Sequence, residues 1–402
     1  MSRLDKLLEG VKVEWKTLGS FTNVLRGRRL TRKLLSSEEK YPVFHGGLDP
    51  LGFYSVKNRS ANTVMIINVG ASAGTVGYSD VDFWSSDGCY CVEHTKILNN
   101  KFLYYFLLGE EFFLKSRVRK AGIPTLDAFV IEKLEVPIPC PDNQKKSLEI
   151  QKEIVRILDT FTELTTELTT ELTTELTTRK KQYSYYREEL LTFDEKKVKH
   201  LPMGDENLGE FIRGGGLQKK DFTASGVGCI HYGQIYTHYG TYANKTKSFV
   251  SEEFAKKARI AKYGDLVIAT TSENDEDLCK AVVWLGNEEI AVSSDACFYR
   301  HNLNPKYVAY FFQTEQFHKQ KRKFITGAKV RRVNADNLAK IKIPVPSEKE
   351  QKRIVSILDK FDTLTTSISE GLPKEIELRT KQYEYYREKL LTFPKDKDIV
   401  EI

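Results

Sequence analysis

The 402-residue sequence has no apolar run approaching the roughly 18 residues of a membrane span. Its opening stretch, MSRLDKLLEGVKVEW, is too polar for a secretory signal, so a cytoplasmic location without membrane contact is expected. The six cysteines (Cys89, Cys91, Cys140, Cys229, Cys279, Cys297) form no CxxC pair and no zinc spacing. They read as free thiols in a reducing compartment. No Gly-x4-Gly-Lys-[Ser/Thr] loop occurs, which leaves no phosphate cradle of that type. Residues 70–77, GASAGTVG, lack both that lysine and the GxGxxG spacing and read as a tight turn between strands. The seven histidines show no HExxH and no metal spacing. No catalytic residue and no metal ligand set is expected.

Repetition, by contrast, is abundant. Residues 151–161, QKEIVRILDTF, return 200 positions later as QKRIVSILDKF, and 179–193, RKKQYSYYREELLTF, return as RTKQYEYYREKLLTF. Eight of 11 and 12 of 15 positions are identical, and the unchanged offset makes the stretches between them equally long. Ile150, Ile154, Ile157, Leu158, Phe161, Leu164 and Leu168 recur at spacings of three and four, which predicts a long amphipathic helix. An apolar stripe of that length needs a partner, and the other copy is the candidate. Four TELT units fill 162–177. Leu164, Leu168, Leu172 and Leu176 continue the stripe as a spacer helix, drifting about 40° per unit because four residues overshoot one turn. In the second copy Gly371-Leu372-Pro373 predicts a break, with Pro373 in the first turn of a new helix.

The chain therefore divides into 1–141, a helix region 142–199, then 200–346 and a second helix region 347–402. The excess of Lys and Arg over Asp and Glu in these segments is +4, −1, +5 and −1, so two basic blocks alternate with two nearly neutral ones. Leu18-Gly19-x-Phe21 matches Leu208-Gly209-x-Phe211, and FLYYFLLGEEF at 102–112 matches YVAYFFQTEQF at 307–317. Runs such as TVMIINVG (63–70), DLVIAT (265–270) and AVVWLG (281–286) read as strands. The expected class is α+β: two mixed α/β domains separated by two long antiparallel helices that form a coiled coil with a pseudo-two-fold repeat. Asn304-Pro305-Lys306-Tyr307 is close to the Asn-Pro-Pro-Tyr of DNA adenine methyltransferases. Lys306 replaces the second proline and an aromatic run follows, so it reads as a helix start.

Such a chemistry-free, mildly basic chain suits a polyanionic partner. Candidate contacts in the first block are Arg26, Arg28, Arg29, Arg32 and Lys33, with Arg117, Arg119 and Lys120 after the aromatic run. The second block offers Arg213, Gln218, Lys219 and Lys220 beside three glycines, then His231–Tyr239, in which Tyr236 and His238 are candidates and half the run is expected as strand. The stretch Lys321, Arg322, Lys323, Lys329, Arg331 and Arg332 suits phosphate, while Gln218, Asn274 and Arg331 are candidates for base edges.

Two divergent blocks, each followed by QK-IV-ILD-F and KQY-YYRE-LLTF, resemble the specificity subunit of type I restriction–modification enzymes. IHYGQIYTHYG, SSDACFY and TGAKVRRVNADNL resemble target-recognition domains of that family. The resemblance implies a non-catalytic subunit of a DNA methyltransferase and restriction endonuclease complex. Each recognition domain would read one half of a bipartite site in double-stranded DNA, and antiparallel helices would set the unread spacer. It also implies docking of methyltransferase subunits, expected as two, with Tyr185, Tyr186, Tyr385 and Tyr386 as candidate contacts, and motor–nuclease (restriction) subunits in the full complex. No cofactor is expected on this chain; S-adenosylmethionine, ATP and magnesium would sit on those partners. Two other readings stay open: the recognition portion of a fused methyltransferase–nuclease, and a coiled-coil scaffold without a nucleic-acid role.

Overall fold

A computed structural model describes residues 8–367 and 370–393. The chain divides into two units, Met1–Thr170 with Glu377–Ile402, and Glu171–Ile376. The principal helices are α1 (Asn100–Gly109), α2 (Gln144–Leu191), α3 (Tyr232–Thr237), α4 (Pro305–Phe311), α5 (Glu315–Arg322), α6 (Glu348–Thr366) and α7 (Gly371–Leu391). The first copy of the repeat is one unbroken 48-residue helix, α2. The second stops at Thr366 and resumes at Gly371, with Pro373 in the first turn, as its Gly-Leu-Pro predicts.

Threonine is a poor helix former, so the continuity of α2 through the TELT tract needs a cause. Its hydroxyls bond back to carbonyls one turn earlier: Thr169 to Thr165 at 2.7 Å, Thr170 to Thr166 at 2.7 Å and Thr177 to Thr173 at 2.9 Å. Each therefore satisfies its own polar group inside the helix. The leucine stripe drifts as its four-residue period requires. Leu164 is exposed, whereas Leu168, Leu172 and Leu176 are half-buried.

Within each unit the helices meet through aromatic rings, and in the first they run in opposite directions. In the first, Phe161 stacks on Tyr386 with ring centroids 5.4 Å apart, while the next residue, Thr162, reaches back to Tyr383 at 3.1 Å. In the second, Tyr183 and Tyr186 both stack on Phe361. Ile154 and Leu158 in one unit, and Ile354 and Leu358 in the other, are fully buried in the respective cores. Truncating either leucine to alanine would cost about 2–5 kcal/mol.

The sheets obey one plan in both units. In the first, strands 24–26, 89–92, 63–67 and 76–79 form a sheet in that order, beside a second of 53–54, 41–44 and 84–85. In the second, 209–213, 296–301, 266–269 and 281–284 repeat the first order, and 248–250, 227–230 and 290–292 repeat the other. Each sheet of the second unit gains one edge strand, 242–243 and 260–261. Strand 13–17 pairs with the proline-rich 135–139, and 200–202 with 342–344.

The repeated motif explains how the helices grip these sheets. Gln151 accepts the backbone N–H of Asn99 at 2.7 Å, and Gln351 that of Asn304 at 2.8 Å. Asn99 and Asn304 in turn cap α1 and α4, so Asn304-Pro305 is a helix start. About two turns on from the glutamines, Asp159 accepts from Lys101 Nζ (2.9 Å) and Tyr105 Oη (2.6 Å). Asp359 repeats this with Lys306 (2.8 Å) and Tyr310 (2.6 Å). Burial and the neighbouring carboxylate push both tyrosine hydroxyls far above their usual range, so each stays a donor.

One expectation of secondary structure is corrected. The alternation in His231–Tyr239 predicts strand for half the run, yet Tyr232–Thr237 is helix α3. The His231 ring accepts the Gly233 N–H, and the Gln234 side chain accepts the His231 N–H at 3.0 Å, which closes a capping box. The cysteines are all free, five of them buried. No helix among the described residues is long and apolar enough to cross a membrane.

Candidate nucleic-acid interface

In the first unit Arg26 ends strand 24–26, and its Nε donates to the Asp87 carbonyl at 3.2 Å. Gly27 then passes so close to the Ser85–Ser86 backbone that a Cβ would lie 2.0 Å from the Ser86 oxygen; only glycine fits. Arg28, Arg29, Arg32 and Lys33 follow, all exposed, the last two on a 3-10 turn at Arg32–Leu34. Arg117 lies over the Phe113 ring, Arg119 pairs with Asp127 at 2.8 Å, and Lys120 is exposed.

The second unit places its candidates around a cleft of about 840 Å³. Lys219, His231, Tyr232, Tyr236, Ser272, Asn274 and Val330 are among the residues that line it. Gln218, next to Lys219, opens the 3-10 turn Lys219–Asp221, its N–H donating to Asp221 at 2.8 Å. Tyr236 is fixed by a 2.7 Å bond from its hydroxyl to the Thr271 carbonyl, and burial raises its pKa above the usual range. Burial also lowers the pKa of His231, with Lys219 adding to the effect, which favours a neutral ring that can accept or donate. His238 is exposed at the end of α3.

The loop carrying Asn274 is braced from below. Strand 271–272 pairs with 331–332. Arg331 pairs with Asp275 at 2.7 Å and donates to the Gly327 carbonyl at 2.7 Å. Asn274 exchanges hydrogen bonds with Asp277, from its amide at 2.9 Å and to its oxygen at 2.7 Å, which pins the turn. Lys321 corrects the charge-based expectation of phosphate contact, since it is only 1% exposed. Its ammonium donates to the carbonyls of Asp275 (2.8 Å) and Leu278 (2.7 Å), plugging the loop from inside. Arg322 is paired with Glu315 at 2.9 Å, while Lys323, Lys329 and Arg332 are exposed. A second, smaller cleft of about 280 Å³ lies across the same strand pair, lined by Arg213, Asp295, Arg332 and Asn337 among others.

The structure thus gathers Lys219, Tyr236, Asn274 and the Arg331 brace at one cleft of the second unit. Of the tyrosines in the repeated helices, Tyr185 and Tyr385 are the most exposed, while Tyr186 and Tyr386 each offer one ring face to a phenylalanine. Sequence reasoning missed the Gln151–Asp159 and Gln351–Asp359 clamps, although all four residues are identical across the repeat. Among the described residues no group of His, Cys, Asp and Glu could hold a metal ion.

The family model for the type I restriction modification DNA specificity domain matches residues 11–178 and again 207–378. The specificity subunit of the type I restriction enzyme EcoR124I/EcoR124II from Escherichia coli is 35% identical, with 99% of each chain covered. A putative type I restriction enzyme specificity subunit of Haemophilus influenzae is also 35% identical, covering 97% of this chain and 98% of its own. A solved structure from a study of complex assembly and conformational transition of the type I R-M system superposes with a TM-score of 0.63. It covers 94% of this chain and 97% of its own at 14% identity, a likeness of fold.

Proposed function

The chain belongs to the type I restriction–modification DNA specificity family, and from that premise we propose that each of its two units reads one half of an asymmetric, bipartite site in double-stranded DNA. The observation that carries this reading is one sheet order built twice, with unlike loops on the two copies. A frame that is repeated while its loops diverge suits two readers of different sequences, because base edges are read by loop and helix side chains rather than by the frame. The readers are residues 1–141 and 200–346. Exposed Arg28, Arg29 and Lys120 serve the first, and the cleft between α3 and the 271–277 loop serves the second.

Residues 142–199 and 347–402 supply the spacer. The TELT tract of α2, with Leu164, Leu168, Leu172 and Leu176, sets the length of unread DNA between half-sites. Tyr185 and Tyr385, with the free faces of Tyr186 and Tyr386, offer docking contacts to two methyltransferase subunits, and restriction subunits complete the assembly. The chain contributes recognition only, so S-adenosylmethionine, ATP and magnesium belong to those partners. Methylome sequencing of a host carrying the methyltransferase, with and without this chain, tests the reading. Methylation of one split, asymmetric sequence should appear only when the chain is present; methylation at an unsplit site would contradict it.

A further inference from the structure

The two units share more than sheet order. At an offset of 187, Arg26-Gly27 corresponds to Arg213-Gly214, Leu30 to Leu217, and Arg32-Lys33 to Lys219-Lys220. The local geometry repeats with the residues. Gly27 N–H donates to the Cys89 carbonyl and Gly214 N–H to that of Ala296, at 3.1 and 3.0 Å. An added Cβ would lie 2.0 Å from the Ser86 oxygen in one unit and 2.0 Å from the Ser293 oxygen in the other. Arg26 Nε donates to Asp87 O (3.2 Å) and Arg213 Nε to Ser294 O (3.5 Å), each anchoring only one edge of its guanidinium. Arg32-Lys33 and Lys219-Lys220 each ride on a 3-10 turn, followed by matching bridges, Ser36 to Phe53 and Thr223 to Phe249. All six cations are exposed, and none forms an ion pair among the described residues.

Between these anchors the units differ. Arg28-Arg29 stand where the second unit has Gly215-Gly216, and Thr31 where it has Gln218. Two readers of different base sequences have one chemical target in common, the phosphate backbone. Positions held alike in both should serve that target, and positions that diverge should serve the bases. Resting on the function proposed above, we infer that Arg26, Arg32 and Lys33 in one unit and Arg213, Lys219 and Lys220 in the other form a matched pair of phosphate clamps. They grip the backbone at both half-sites without reading sequence; within the second unit's cleft Lys219 holds phosphate, and Tyr236 and Asn274 are left to the bases.

The test uses the full chain assembled with its methyltransferase subunits. Lys219→Ala/Lys220→Ala and, separately, Arg32→Ala/Lys33→Ala are titrated with a duplex bearing the mapped site and with an unrelated duplex, between 50 and 200 mM salt. Each pair should weaken both duplexes by the same factor. The slope of log K against log salt should shrink by about 2, roughly 0.9 for each phosphate that is no longer neutralised. The methylated sequence should stay unchanged, and Lys219→Arg/Lys220→Arg should restore the slope. An unchanged slope, a weakening confined to the mapped site, or an altered methylated sequence would overturn the clamps. Should the wild-type complex fail to favour the mapped duplex at all, the underlying DNA-reading function is what falls.

Discussion

Deleting one TELT unit, residues 170–173, perturbs the spacer while leaving both readers untouched. Four residues of α-helix amount to about 6 Å of rise and about 40° of rotation. At 3.4 Å per base pair, that rise corresponds to between one and two base pairs of duplex. The deletion should not unravel α2, because the back-bonding of Thr169 to Thr165 and of Thr177 to Thr173 has the same four-residue period and is regenerated when one unit is removed. The clamping residues Gln151 and Asp159 lie before the tract, and the core residues Tyr183 and Leu191 after it. In the second copy, the stretch that corresponds to the tract contains the interruption between Thr366 and Gly371. The assay is methylation mapping of host DNA with the shortened chain. Both half-sites should keep their sequences, with one or two base pairs fewer between them. An unchanged spacer, or a change within either half-site, would refute the ruler.

Three other outcomes follow from the structure. Lys321→Met removes the ammonium that three carbonyls of the 275–278 loop accept from, each buried unsatisfied group costing about 1–3 kcal/mol. The assembled complex should lose affinity for its site at least tenfold while binding to unrelated DNA holds, and equal losses on both would show that the loop does not read sequence. Asp359→Ala strips the acceptor from buried Tyr310 and from Lys306, so urea unfolding should report a loss of about 2–3 kcal/mol, with Asp359→Asn milder; a loss below about 0.5 would refute the clamp. Burial holds His301 and His318 down to about 4, below the roughly 6.5 of an unfolded histidine. Stability from their neutral forms is complete above pH 6.5 and is lost as pH falls toward 4, by about 3 kcal/mol for His301. The urea midpoint should therefore drop on acidification and drop less in His301→Phe; a midpoint indifferent to pH would contradict this.

Much of the helical architecture was legible because the repeat preserves whole motifs, and a single Gly-Leu-Pro marks the one break. The sheets were harder to read. Their repeat survives at isolated residues such as Arg26-Gly27 and Arg213-Gly214, and what unites them is a close approach to a carbonyl that no side-chain pattern advertises. His231–Tyr239 misled because its alternating aromatics suit a strand; the capping box formed by His231 and Gln234 decided for helix. Lys321 looked like its basic neighbours, and only carbonyls 43 to 46 residues earlier in the chain account for its burial. Asp159 and Asp359 were visible as identities, but their partners Tyr105 and Tyr310 sit in a run that reads simply as apolar helix.

The central claim, two independent readers on one chain, is tested most directly by exchanging residues 200–346 for the corresponding segment of another family member and mapping methylation. One half-site should change completely while the other half keeps its sequence. Changes in both halves, or in neither, would contradict it.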